Sequence, residues 1–168
     1  NVLIPSGRNN YPLITNGVAY CKNLTIQSGA AVTVYNKLQI SGDINNLGTL
    51  NALAGTVELN GASVQNIAGS YFYLHTINHL IISNTDAGGV VVSAVPGDTL
   101  KISRKLSFGY DSAFLSTGNQ VTLLSSDTAT ASIGIIRENA DGSPMATISG
   151  EIIVERFYPK KRAWRLIA

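Results

Sequence analysis

A single cysteine, Cys21, stands in the 168-residue chain, so no disulfide can form within it. That fits a cytosolic protein, or a secreted one held together by its core and hydrogen bonds alone. Charge is equally scarce, with Asp, Glu, Lys and Arg making up only 13% of the residues. A helical bundle or coiled coil draws on Ala, Glu, Lys, Leu and Arg, and this composition does not supply them. Disorder is disfavoured too, because the hydrophobic content is high and the net charge is only +2. No apolar run approaches the roughly 18 residues of a membrane-spanning helix. The opening Asn1-Val-Leu-Ile-Pro-Ser-Gly7 has no basic segment leading into an apolar one. It starts inside what reads as a strand, as expected of an excised fragment, so the missing signal peptide carries no information about location.

The small positive charge is local. Residues 1–150 hold seven Lys/Arg and eight Asp/Glu, whereas residues 151–168 hold five basic and two acidic residues. A nucleic-acid interface needs a basic face along the body of a fold, and this body has none.

In place of charge there are 17 Ile, 16 Leu and 12 Val, with 60 residues of Gly, Asn, Ser and Thr. At roughly 1.5–3 kcal/mol per fully buried aliphatic side chain, such a chain builds a core without metal or disulfide. The aliphatics recur with period two in short bursts: Leu24 and Ile26, Val32 and Val34, Leu38 and Ile40, Val57 and Leu59, Leu80 and Ile82. Val90 and Val92, Leu100 and Ile102, Leu106 and Phe108, Val121 and Leu123, and Ile152 and Val154 continue the series. Each burst is bounded by turn formers, as at Ser28-Gly29, Asn60-Gly61, Gly88-Gly89, Pro96-Gly97 and Asp141-Gly142. Strands are expected throughout and helices nowhere.

The bursts arrive about every 7–12 residues on a loose shared template. Its cleanest copy is Leu24-Thr-Ile-Gln-Ser-Gly-Ala-Ala-Val-Thr-Val34, echoed by Leu38–Ile44 and Val57–Val64. Repetition of a short strand-turn unit predicts a solenoid, in which each coil buries its inward face on the next. The expected fold is therefore all-β, a parallel β-helix of about six short coils over residues 1–150. Residues 151–168 would form a last strand and a linker into a following module. Stacked aliphatics would fill the interior, and Thr25, Thr33, Gln39, Glu58 and Lys101 would face water. A β-sandwich uses the same alternation and is the alternative. The segment Ala129–Met145 is irregular and polar, and no coil is assigned to it.

Few residues suggest chemistry. His75 and His79 have the i, i+4 spacing of a helical zinc site, but on a strand such residues lie about 13 Å apart. No metal site or cofactor is expected. The ten acidic residues include no adjacent pair, and six fall in turn-like segments where they would cap backbone amides. A carbohydrate-active β-helix enzyme, lyase or hydrolase, remains the alternative function, because stacking coils bring distant acids together. No Gly-x-Ser-x-Gly elbow or phosphate loop occurs. Tyr71, Phe72 and Tyr73 form the densest aromatic cluster; they would either stack on sugar rings or pack under a bulge in a coil. The C-terminal stretch, with Pro159 and the only tryptophan, Trp164, reads as a strand, an interruption and a second strand with Leu166.

Three motifs resemble the β-strand-repeat segments of large secreted bacterial surface proteins of the type IX secretion kind. They are Asn1–Gly7 and Asn10–Ile14 with Cys21–Val34, then Gly42–Leu50 with Gly55–Gly69, and Val154-Glu-Arg-Phe-Tyr-Pro-Lys-Lys-Arg-Ala-Trp-Arg-Leu166. The resemblance implies a right-handed β-helix, an extracellular or cell-surface location, and a non-catalytic adhesive or spacer role. Its partners would be extracellular polysaccharide or another surface protein, with covalently continuous neighbouring domains and neither nucleic acid nor membrane insertion. It also implies Asp-Ser/Thr-aliphatic O-glycosylation, for which Thr99, Ser112 and Thr128 fit the pattern.

Overall fold

The computed structural model describes residues 1–158. The chain winds as a three-sided β-solenoid. Coil one comprises β1 (Val2–Ile4), β2 (Leu13–Ile14) and β3 (Val18–Cys21). Coil two comprises β4 (Leu24–Ile26), β5 (Ala31–Val34) and β6 (Lys37–Ile40). In coil three, β7 (Ile44–Asn46) is followed by the long β8 (Thr49–Leu59), which bends around a corner to supply two sides. Coil four has β9 (Gln65–Ile67) and β10 (Thr76–Ile82), and coil five has β11 (Val90–Val92) and β12 (Leu100–Phe108). Coil six contains β13 (Phe114–Ser116), β14 (Val121–Leu123) and β15 (Ser132–Ile133). Two strands, β16 (Thr147–Ser149) and β17 (Ile152–Val154), begin a seventh level. At about 4.8 Å per level the stack is roughly 30 Å tall.

Every pairing between these strands is parallel. That excludes the β-sandwich, whose sheets are antiparallel. The interior is built from columns in register. On the third side Ala19, Leu38, Val57, Leu80, Leu106 and Ile133 stack on one another, beside Cys21, Ile40, Leu59, Ile82 and Phe108. On the second side Ala52, Ile77, Ile102, Leu123 and Val154 do the same. Parallel register puts each aliphatic against its counterpart one coil away, which is why the bursts repeat the same residue types.

The repeat lengthens along the axis. Register partners on the third side are 19 residues apart at Leu38 and Val57 and 27 apart at Leu106 and Ile133. The added residues lie at the corners, so the core geometry persists while the sequence template blurs. Gly55 sits at the corner within β8, where a β-carbon would overlap the Val34 carbonyl oxygen and lie 2.7 Å from its carbon. Only hydrogen lets the two coils approach that closely.

The first side is not continuous. Strands β1, β4 and β7 form one sheet and β9, β11, β13 and β16 another, with no ladder between β7 and β9. One buried amide, that of Gln65, spans the gap, and a second, Asn84, holds it in place. Gln65, 2% exposed, donates through Nε2 to the carbonyls of Ile40 (3.0 Å) and Gly42 (2.9 Å). Its Oε1 accepts from the Gly61 amide (2.8 Å) and from Asn84 Nδ2 (2.9 Å). Asn84 also donates to the Ser63 carbonyl. From the β7 side, Asn46 Nδ2 donates to the Tyr71 carbonyl. Side-chain amides thus do the work of the missing ladder, satisfying backbone groups that burial would otherwise strand.

Three expectations need correction. The chain is not free of helical turns: 3-10 turns occupy Gly69–Tyr71 and Tyr73–His75. The irregular segment Ala129–Met145 does contain a strand, β15, which pairs with Lys105 and Leu106 of β12. Glu58 points outward as expected but is only 8% exposed, because side chains from adjacent coils cover it. The readings placed on Pro159, Trp164 and Leu166 lie outside the described residues.

Candidate functional site: the outward third side

The outward positions of β3, β6, β8, β10 and β12 form two polar columns. One runs Val18, Lys37, Thr56, His79, Lys105 and Ser132; the other runs Tyr20, Gln39, Glu58, Ile81 and Ser107. Alternation along each strand aims these side chains away from the aliphatic interior, and parallel register lines them up along the axis.

Glu58 is the centre of this surface. Lys37 Nζ lies 2.5 Å from its Oε2, Gln39 Nε2 donates to the same oxygen, and Ser83 Oγ donates to Oε1 at 2.6 Å. The four residues come from three successive coils. Burial works to raise the carboxyl pKa, but bonds from Lys37, Ser83 and Gln39, with the Lys37 charge, outweigh it and hold the group below its ordinary value. Glu58 is therefore an ionised clamp between coils and lacks the raised pKa of a general acid.

One coil further along, His79 Nε2 lies 2.9 Å from Ser107 Oγ. Burial, then the charges of Lys105 and Lys37, depress the His79 pKa, so the ring is neutral at pH 7. Depressions flank this strip. Near coil one, Tyr20, Gln39, Ser41 and Asn60 line a hollow of about 300 Å³, with Tyr20 70% exposed. Asn60 Oδ1 is buried there with no hydrogen-bond partner among the described residues. At the other end a cavity of about 470 Å³ opens between β12 and the irregular segment, with Lys105, Ser107, Tyr110, Asp111 and Arg137 on its walls.

The residues singled out in the sequence are dispersed. Phe72 is buried in the core, Tyr71 packs half-buried against it, and only Tyr73 is exposed, so the three rings do not share a surface. The 3-10 turns that hold them are fastened by Asp98, which accepts from the Ser70 amide (2.5 Å) and hydroxyl (2.9 Å). His75 has a positive φ of 57° and its Nδ1 faces Asp98 at 3.7 Å, whereas His79 faces Ser107. The two histidines diverge. Among the described residues no group of three or more His, Cys, Asp or Glu gathers at one point. Asp86 and Asp141 accept from the amides of Gly88 and Ser143, the capping role expected of turn acids. Of the candidate glycosylation residues, Ser112 and Thr128 are exposed, while half-buried Thr99 donates to Gln120 Oε1 at 3.1 Å. Cys21 is half-buried in the third-side core, and burial pushes its thiol pKa up.

Lys105, Tyr110 and Arg137 received no role from the sequence. The only signal within reach was the period-two register, which puts Lys105 and Ser107 on one outward face; Arg137 joins them only through folding of an irregular segment. Among the described residues no helix is long and apolar enough to cross a membrane. Comparison with family models, with curated proteins and with solved structures finds no match for this chain.

Proposed function

We propose that the chain is a non-catalytic structural and adhesive module of a secreted or surface-displayed bacterial protein, a stiff stalk whose third side meets glycan. The observation that carries this reading is the state of Glu58. Its carboxylate is consumed in cross-coil bonds to Lys37, Gln39 and Ser83, which fasten the stalk and leave the acid no proton to deliver. The rest of the strip offers hydroxyls, amides, amines and an exposed tyrosine, groups suited to hydrogen bonding and to stacking on a pyranose. Weak contacts repeated at each coil add along an extended ligand. The bacterial surface setting rests on the sequence resemblance to type IX-secreted proteins.

A glycan array probed with the isolated chain, paired with a reducing-end assay on the glycans it retains, tests the reading. The expected result is retention of extended polysaccharide without cleavage. Release of new chain ends from a retained glycan would replace the module with a carbohydrate-active enzyme. Retention of nothing would reduce the role to that of a spacer.

A further inference from the structure

We propose that the cavity between β12 and the irregular segment is a subsite for a sugar carrying a carboxylate, such as a uronic-acid residue within an extended glycan. The inference rests on the adhesive reading and assigns its ligand class. The cavity's volume of about 470 Å³ falls in the range of small-ligand sites and suits one or two sugar rings. Its charge is unbalanced: Lys105 and Arg137 face it with Asp111, and neither cation makes an ion pair among the described residues. A guanidinium and an ammonium lining one cavity match a planar carboxylate, which Arg holds through two parallel bonds.

The other walls fit the rest of a sugar. Tyr110 is half-exposed and offers a ring face to the C–H surface of a pyranose. Ser107 Oγ is fixed by His79, and Asp111 accepts from hydroxyls. Gly109 and Gly134 line the cavity beside Ser107. At Gly109 a β-carbon would overlap Ser83 Oγ, and at Gly134 it would lie 3.0 Å from Ser107 Oγ, so larger residues would disturb the surface. The column Tyr20, Gln39, Glu58, Ile81 and Ser107 leads from this cavity to the Tyr20 hollow, a path of about 20 Å at 4.8 Å per coil. Along that path Lys37 already neutralises Glu58, so the acidic unit belongs at the Lys105–Arg137 end.

Isothermal titration of the chain with tetramers of galacturonate, glucuronate and mannuronate, each beside its methyl ester, tests the assignment. At least one acid form is expected to bind, its ester at least roughly tenfold more weakly, and high salt should weaken the acid form. Arg137→Gln and Lys105→Gln should each cost roughly tenfold in affinity, while Arg8→Gln in the first coil changes nothing. Both cations are exposed, so the variants should melt with the parent. Equal binding of acid and ester, or acid binding unaffected by both substitutions, overturns the subsite and leaves the adhesive module intact. Failure of all three acids to bind while the array retains neutral glycans does the same. If the array also retains nothing, the adhesive reading fails with it.

Discussion

Gln65→Leu is expected to destabilise the protein by roughly 3–6 kcal/mol, a large part of the stability of a domain this size. Leucine fills nearly the same volume, so the loss measures the amide. Without it the Gly61 N–H and the Gly42 carbonyl lose their partners inside the structure, and the Ile40 carbonyl and Asn84 each lose one bond. Leaving a buried polar group unsatisfied costs about 1–3 kcal/mol each. The damage is local to the gap between β7 and β9, the one place where the first side has no ladder. Urea unfolding of the two proteins, compared at equal slope, measures the loss. A change below about 1 kcal/mol would mean that the coils hold together there without the amide bridge.

Gly89→Val should prevent folding at 37 °C or cost more than about 4 kcal/mol. Two effects combine. The residue has φ of 58°, a conformation that a β-branched side chain adopts only under strain. A β-carbon there would also overlap the Phe114 carbonyl oxygen and lie 2.8 Å from its carbon, forcing apart the coils that carry β11 and β13. Gly97→Ala separates the two terms. Its φ of 87° is also unfavourable to a side chain, but nothing lies within 4 Å of the added atom, so only about 1–2 kcal/mol of backbone strain is expected. Thermal melts of both variants make the comparison. Equal losses at Gly89 and Gly97 would show that close coil contact contributes nothing.

How much of this was legible in the sequence depends on which side of the solenoid is considered. All ten aliphatic bursts fall within strands, and most of them supply the second and third sides. The first side escaped the same reading at β7, β9, β13 and β16. There Asn46 stands in register with Ile26, and Gln65 with Val90, so the apolar alternation breaks where amides face inward. Nothing in the local sequence separates a buried, fully bonded glutamine from an exposed one; its partners Ile40 and Gly42 lie 25 and 23 residues away. Glu58 follows the same logic. Its outward direction was readable from period two, but its burial arises from Lys37, Gln39 and Ser83 on neighbouring coils. The aromatic cluster was readable as a bulge or a platform, and folding splits it: Phe72 goes in and Tyr73 stays out. The cavity was least legible, because Arg137 sits in a segment without periodicity and meets Lys105 only through the return of that segment to β12.

On the proposed reading the module is mechanical as much as adhesive, because its coils each hold their neighbours through parallel ladders. Single-molecule pulling between the chain ends tests it most directly. Coils of 19 to 27 residues should release contour length in steps of about 60–100 Å, one coil after another from an end of the stack. A single low-force event that releases the whole chain at once would show that the coils do not hold one another as a mechanical stack.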